Sequence, residues 1–164
     1  MDFFNFFCAF VNRLLTRDDS NGDAMLHARY HATGDAAHAA KSAEIMDAWS
    51  AVLVKHNNSN GPLQSAWAGA VFPRAAEVIR HTWDGWPATN VARFERMLQT
   101  AYLPMIIDGC FGYNGNWELS MAEAIAAIAV FCEDSASFEQ ALSLWRGRVS
   151  STRTMCRSPC VENG

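Results

Sequence analysis

The sequence predicts an all-α fold built from antiparallel helical hairpins. Apolar residues recur at three- and four-residue intervals through most of the chain after residue 24, which is the period of an α-helix. No run of four or more alternating β-branched residues occurs, so strands are minor or absent. Predicted helices start near residues 35, 62, 89 and 117, and this regular spacing corresponds to one helix plus a turn.

The length and composition indicate one domain, or a piece of one larger domain, with a sizeable core. Half of the 164 residues are hydrophobic and 18% are charged, which excludes a disordered chain. The formal net charge is −4 and the chain has only two lysines, Lys41 and Lys55. This balance argues against a nucleic-acid-binding domain, because such domains carry a basic stripe. No stretch approaches the roughly 18–20 apolar residues that a membrane-spanning helix needs.

The first two predicted helices are separated by a turn rich in asparagine, glycine and proline. Asp35 is the predicted N-cap of the first helix, which runs to about His56. The predicted apolar face of this helix consists of Ala36, Ala40, Met46, Trp49, Leu53 and His56. The second helix runs from about Leu63 to His81. Pro73 should kink or split it, because proline removes a helical hydrogen bond.

Three further helices complete the predicted domain. Thr89 is the expected cap of the third helix, whose apolar side consists of Val91, Phe94, Leu98, Ala101 and Tyr102. A glycine-rich connector then leads to a nearly all-apolar helix, residues 117–131, which is expected to be buried on most sides. Ser135 is the predicted cap of a last amphipathic helix, which carries Phe138, Ala141, Leu142 and Trp145.

The two ends of the chain differ in composition from the domain between them. Residues 1–23 are an apolar and polar lead-in, in which Asp2 stands where a signal peptide would carry positive charge. Residues 24–149 form the predicted helical domain. Residues 150–164 are rich in serine and threonine and nearly lack apolar side chains, so a disordered or foreign tail is expected.

Few residues have the spacing of a metal site. His27 and His31 lie four residues apart on a predicted helix, but no third ligand accompanies them, so no metal is predicted. The five cysteines include no C-x-x-C pair. Cys110 and Cys132 are therefore predicted to be buried thiols.

The most informative segment is DGCFGYNGNWELSMAEA, residues 108–124. Its glycines and asparagines lead straight into the apolar helix, so Tyr113, Asn114, Asn116 and Trp117 converge on a helix N-terminus. Such an end favours an anionic ligand through its free N–H groups and partial positive charge. Uncharged amides beside an aromatic ring suit a sugar carboxylate. The alternative is that the asparagines are turn and cap residues and that Trp117 packs in the core.

A second candidate is Trp67, which lies in the stretch QSAWAGA, residues 64–70. The small residues on both sides would leave one face of the indole ring accessible. An ordinary core tryptophan is the alternative.

Five strings, taken in order, carry a more specific pattern. They are GDAAHAAKSAEIMDAWSAVL (residues 34–53), WAGAVFPRAAEVIRHTWDGW (67–86), RFERMLQTAYLPMI (93–106), YNGNWELSMAEAIAAIAVF (113–131) and SFEQALSLWRGRV (137–149). The ordered combination resembles the alginate lyase family of polysaccharide lyases, over about residues 25–149.

The resemblance implies a partial (α/α) toroid of helical hairpins with a cleft for an acidic polysaccharide. The implied chemistry is β-elimination, in which the C5 proton of a uronic acid is removed and the 4-O-glycosidic bond breaks. Because the C5 proton is very weakly acidic, the site must neutralise the neighbouring carboxylate and stabilise the enolate-like charge. A base and an acid are also needed, usually a tyrosine and a histidine in this family. No cofactor or metal is required by this scheme.

The resemblance also implies roles for individual residues. Asn114 matches the asparagine that faces the substrate carboxylate, and Trp67 matches the family's aromatic platform. Asn116 and Trp117 are the expected neighbours that line the cleft, and Tyr113 is a candidate for proton transfer.

The sequence departs from the family pattern in two places. Gly115 stands where some members have a histidine directly after the carboxylate-neutralising asparagine. After RGRV the family continues into further helices, whereas this chain has SSTRTMCRSPCVENG, residues 150–164. We therefore expect an incomplete copy, with the base and acid of the family beyond residue 149. Exposed apolar faces of its hairpins are expected to cause self-association.

Two other functions are compatible with the same residues. One is a non-catalytic helical domain that binds acidic glycans, since binding needs only the amides and tryptophans. The other is a helical interaction domain without any glycan. The expected partner is an acidic polysaccharide, without nucleic acid or a membrane span. The family implies a secreted or periplasmic protein, although the chain shows no convincing signal peptide.

Overall fold

The computed structural model describes residue 26 and residues 28–57, 59–110 and 115–150, with side chains up to residue 147. Residues 28–33 are helical. The elements that follow are α1 (Ala36–Val52), α2 (Gly61–Thr82), α3 (Ala88–Met97), a π-helical turn (Leu98–Tyr102), α4 (Leu103–Ile106), α5 (Asn116–Phe131) and α6 (Ser135–Ser150). No strand occurs within these ranges, so the all-α prediction is confirmed. The four predicted helix starts are each correct to within one residue.

Helices α2 and α5 lie side by side and run in the same direction. In the middle of the pair, Gly69 packs against Ala124. Towards the end of the pair, Arg80 donates from Nη1 to the carbonyl oxygen of Phe131, the last residue of α5, at 2.9 Å. The first residues of both helices therefore lie at one end of the molecule and their last residues at the other.

A single carboxylate, that of Asp47, joins α1 to α3. It accepts hydrogen bonds from Trp86 Nε1 at 3.1 Å and from Asn90 Nδ2 at 2.6 Å. The Arg93 guanidinium lies 3.5 Å from the same carboxylate. Two hydrogen bonds and one ion pair from the same segment converge on one carboxylate, so they fix the register of α3 against α1.

The first helix begins as predicted but ends earlier. Asp35 caps α1, and its Oδ1 atom accepts from a first-turn backbone N–H at 2.9 Å. The helix ends at Val52 rather than near His56, and residues 53–57 are not helical. Leu53 and His56 belong to this non-helical segment, and both side chains are buried. Their burial therefore results from tertiary packing and not from helical spacing. Two residues of the predicted apolar face are exposed, Ala36 and Ala40.

Helix α2 is not split at Pro73. It runs from Gly61 to Thr82 without interruption, so of the two predicted outcomes, a kink or a split, the split is wrong. Pro73 lacks the N–H that would donate to the carbonyl of Gly69, which costs one helical hydrogen bond. Both residues are buried against neighbouring helices, and this packing offsets the missing bond.

A π-helical turn, Leu98–Tyr102, separates α3 from α4. The backbone N–H of Leu103 donates to the carbonyl of Leu98, five residues earlier. Pro104 accounts for the turn, because in a regular α-helix its ring would collide with the carbonyl group of Thr100. The predicted apolar side of this helical run does face the core, with Phe94, Leu98, Ala101 and Tyr102 buried and Val91 half-buried.

Two helices begin at residues other than the predicted caps. Thr89 lies inside the first turn of α3, whose capping position is Pro87. Asp134, rather than Ser135, caps α6, because its Oδ1 atom accepts from two first-turn backbone N–H groups at 3.0 and 3.2 Å. Hydrogen bonds from the Ser137 hydroxyl and from these N–H groups hold the pKa of the Asp134 carboxyl below its usual value.

Phe94 is the centre of an aromatic cluster that joins α2, α3 and α5. Its ring centroid lies 6.0 Å from that of Phe72, 5.8 Å from that of Trp86 and 5.6 Å from that of Phe131. All three contacts are edge-to-face, the geometry that the ring quadrupole favours. Arg80 places its guanidinium carbon 4.5 Å from the Phe131 ring centroid, so the cluster ends in a cation–π contact.

Gly69 allows the close approach of α2 and α5, and we expect Gly69→Val to lower the free energy of unfolding. A Cβ at this position would lie 3.2 Å from Ile128 Cδ1 and 3.3 Å from Tyr102 Cδ1. The larger side chain should cost about 1–3 kcal/mol through overpacking, measured by urea denaturation. Gly147→Val in α6 is the control, since a Cβ there meets nothing within 4 Å. Equal losses in the two variants would contradict this prediction.

The two described cysteines differ in chemical state. Cys110 is buried and disulfide-bonded, so the prediction of a free thiol is wrong at this position, where spacing in the sequence gave no indication of pairing. Cys132 is free and half-buried. Burial, together with Glu95 and Asp134 nearby, raises the pKa of its thiol to about 12 and makes it unreactive.

Candidate functional site

Three of the predicted site residues lie at one end of the α2–α5 pair, which we call the site end. It is defined by the first residues of the two helices, Gly61 and Asn116, and lies opposite the contact between Arg80 and the end of α5. Trp67 lies about 9 Å along the axis from the start of α2. Asn116 and Trp117 begin α5. The fold thus brings residues distant in sequence to the same end of one helix pair.

The side chains of these three residues differ in exposure. Asn116 is exposed, and the capping position of α5 is Gly115, so Asn116 is not the cap residue of its helix. Trp117 is half-buried and packs against the hydrophobic core, so the interpretation as a core residue holds for part of its surface. Trp67 is also half-buried.

The two remaining predicted residues, Tyr113 and Asn114, lie outside the described residues. Asn114 directly precedes Gly115, whose φ of 123° is a conformation that L side chains rarely adopt. A histidine at this position, as some family members have after the equivalent asparagine, would therefore be strained in this backbone. The glycine at position 115, where some family members have a histidine, thus agrees with the backbone conformation at that position.

The helix ends give the site end a preference for anions. Both helices direct their N-terminal N–H groups and positive dipole ends towards it. The first turn of α2 contains no acidic residue. The first turn of α5 contains Glu118, but that side chain is only 3% exposed and packs beside Gly109. The buried Glu118 carboxylate already lies at the positive end of α5, so the preference for a further negative charge rests mainly on the start of α2.

The described histidine and tyrosine nearest this end are buried. His56 and Tyr102 are 1% and 0% exposed, and their rings meet edge-to-face with centroids 5.1 Å apart. Burial lowers the pKa of His56 to about 4 and raises the pKa of Tyr102. Neither side chain can reach a bound polysaccharide. In the described part of the site end, the side chains suited to a glycan are therefore amides and indoles, without an exposed acid–base pair.

The histidine pair of the sequence is only partly described. His31 is exposed, and His27 lies outside the described residues. Among the residues that the structure describes, no group of three metal-ligating side chains comes together.

A comparison with protein-family models decides the family. The alginate lyase model matches residues 12–153, which is most of the chain. The chain belongs to the alginate lyase family. A search of curated proteins and a search of solved structures each find no match.

Membership of the alginate lyase family places the chain among polysaccharide lyases at the level of the family. The matched region encloses the predicted domain, residues 24–149. It also contains both segments that supply the candidate site, the first half of α2 and the connector that leads into α5.

The sequence did not predict one feature of the site end, the non-helical segment 53–57. This segment passes against the start of α2, because the carbonyl oxygen of His56 lies 3.0 Å from the position of a Cβ on Gly61. The helical prediction extended to His56 because apolar residues continued at helical spacing. The β-branched residues Val52 and Val54, which disfavour helix, were the available signal.

Proposed function

We propose that this alginate-lyase-family chain acts on an alginate- or glucuronan-like polysaccharide and breaks its 4-O-glycosidic bonds by β-elimination. In this proposal Asn114 faces the uronate carboxylate and Trp67 stacks on a sugar ring. Asn116 and Trp117 line the cleft, and Tyr113 is the candidate for proton transfer. The partner is an acidic polysaccharide.

One observation carries the proposal. In a chain of this family, the fold puts Trp67 and the start of α5 at the same end of two parallel helices. A sugar ring needs an apolar face, which an indole supplies, and a uronate carboxylate needs donors, which amides and helix N-termini supply. The site end offers an indole and a helix N-terminus, and this supports the proposal.

The proposed chemistry depends on neutralising the substrate carboxylate. A base takes the proton from C5, a double bond forms between C4 and C5, and the C4–O bond breaks. The leaving oxygen takes a proton from an acid. Because negative charge develops next to the carboxylate, donors from Asn114 and the N-terminus of α5 stabilise the transition state more than the ground state.

Trp67→Ala is expected to weaken binding of a mannuronate hexamer at least tenfold, because stacking contacts of buried aromatic rings dominate such interfaces. Calorimetry measures the affinity, and ultraviolet absorption of the unsaturated product measures turnover.

Asn114→Ala should lower turnover by about 100-fold, the usual effect of removing one hydrogen-bond donor from a group on which negative charge develops.

The control for this experiment is Trp83→Ala. Trp83 is also half-buried, but it directly follows α2 at the opposite end of the helix pair. Equal loss of binding in both tryptophan variants would contradict the proposed location of the site. A wild-type chain that neither binds nor cleaves any uronan would refute the proposed function.

A non-catalytic domain that binds acidic glycans is the second candidate function. The observation that favours it is the burial of His56 and Tyr102, which leaves the described part of the site end without an exposed histidine or tyrosine. Binding without formation of unsaturated product would support this alternative over the lyase. The helical interaction domain without a glycan role predicts that neither the Trp67 nor the Asn114 substitution changes glycan binding, because no glycan binds.

We also propose that the protein works outside the cytoplasm, in secreted or periplasmic form. The disulfide at Cys110 is consistent with an oxidising compartment. Within the described residues, no helix is long and apolar enough to cross a membrane.

Self-association through α6 is a further part of the proposal. Phe138 and Trp145, predicted on the apolar face of α6, are 36% and 52% exposed, whereas Ala141 is buried. Exposed aromatic side chains on one helix favour association with another apolar surface.

A further inference from the structure

We propose that Lys55 is a further substrate-binding residue, which pairs with a carboxylate of the acidic polysaccharide beside the site end. This inference rests on the proposed function. It concerns a residue that neither the sequence motifs nor the site described above had included.

The first support is the way the chain presents Lys55. Residues 53–57 leave the helix after Val52 and are anchored by two side chains, Leu53 at 7% exposure and His56 at 1%. The His56 ring packs edge-to-face against Tyr102. Between these anchors Lys55 is exposed. Because the buried side chains of Leu53 and His56 anchor the chain on both sides of Lys55, the backbone of the lysine is held in place. Its side chain extends into solvent.

The second support is the position of this segment. The backbone of His56 packs directly against Gly61, the first residue of α2, and Met105 from the end of α4 approaches the same glycine. Trp67 lies about 9 Å further along α2. A polysaccharide that stacks on Trp67 spans several sugar rings, so a neighbouring uronate can come within reach of the lysine side chain.

The third support is the distribution of charge. Four described cations are already held in ion pairs with carboxylates: Lys41, Arg74, Arg80 and Arg93. Lys55 forms no ion pair with any residue in the described part of the chain, and of the described cations without such a pair, which include Arg29 and Arg96, it is the one next to the start of α2. Its charge is therefore not neutralised by a described carboxylate, at an end whose helix dipoles also favour anions.

The chain contains its own matched control, because it has only two lysines. Lys41 is also exposed, but it lies near the start of α1, at the end remote from residues 53–57, and pairs with Glu44 at 2.7 Å. Lys55→Gln and Lys41→Gln each remove one positive charge, so both change the net charge of the protein by the same amount. They differ in position and in pairing, because only Lys41 has a carboxylate partner.

The test is the affinity for a mannuronate hexamer at two ionic strengths. At about 0.01 M, where the screening length is about 30 Å, Lys55→Gln should bind about threefold more weakly and Lys55→Glu about tenfold more weakly than wild type. At about 1 M, where the screening length is about 3 Å, the three proteins should bind alike. Lys41→Gln should match wild type at both ionic strengths.

Three results would overturn the inference. Unchanged affinity of Lys55→Glu at low salt, with Trp67→Ala still weakening binding, would reject the role of Lys55 and leave the proposed function intact. Equal weakening in Lys41→Gln and Lys55→Gln would show a net-charge effect without a site. No binding of any uronan by the wild-type chain would reject the proposed function and this inference together.

Discussion

Phe94→Ala is expected to lower the free energy of unfolding by about 3–5 kcal/mol, the usual cost of removing a buried phenylalanine ring. Phe94 is fully buried and contacts three other aromatic rings at once. The substitution removes all three edge-to-face contacts and leaves a cavity between α2, α3 and α5. Because a domain of this size is usually stable by only about 5–15 kcal/mol, the loss should be visible as a large decrease in the urea midpoint.

The control for Phe94 is Phe138→Ala in α6. Phe138 is 36% exposed, so the same change of side chain should cost about 1 kcal/mol or less. Phe94→Leu should lie between the two, because leucine fills part of the cavity. A loss below about 1 kcal/mol for Phe94→Ala would mean that the aromatic cluster does not hold α2, α3 and α5 together.

Acid is expected to destabilise the fold through His56. Burial lowers the pKa of this histidine from 6.5 to about 4, so the folded protein keeps the ring neutral while the unfolded chain takes up a proton. The unfolded state then binds more protons between these two values, and the free energy of unfolding falls as the pH falls from about 6.5 to 4. The full difference corresponds to about 3 kcal/mol, and it reaches its limit below pH 4.

Urea denaturation at a series of pH values measures this effect. His56→Leu should remove most of the dependence on pH between about 6.5 and 4, whereas His31→Gln, at an exposed position, should leave it unchanged. The capping carboxylate of Asp134, whose pKa is lowered, adds a loss only at lower pH, so its effect can be separated. A wild-type stability that does not change between pH 7 and 4.5 would contradict the burial of a neutral histidine.

Much of the fold follows from local chemistry. The Asp35 cap and the regular helix starts depend on short-range pattern, and the structure confirms them. The errors concern residues whose conformation is set by contacts distant in the sequence. Pro73 stays inside a helix in which its own side chain is buried. His56 leaves the helix because its ring is buried against Tyr102, almost fifty residues later.

In the candidate site too, some features follow from local sequence and others from contacts distant in the sequence. Residue types and spacing suggested Trp67 and the start of α5, because aromatic rings, amides and a helix N-terminus are visible in the sequence. Spacing could not show that both lie at one end of a parallel helix pair, since this depends on the direction of the helices between them. Lys55 was missed because its importance comes from the anchoring of Leu53 and His56, which no periodicity predicts.

The hydrogen bond from Arg80 to Phe131 joins the end of α2 to the end of α5. With the two last turns fastened together, the distance from this point to each helix start depends only on how many residues each helix contains. One residue inserted into α5 would move its first turn by about 1.5 Å and rotate it by about 100° relative to Trp67. We therefore expect an insertion within α2 or α5, between the Arg80–Phe131 contact and the site end, to disturb the site. An insertion that follows this contact in the chain should be tolerated far better.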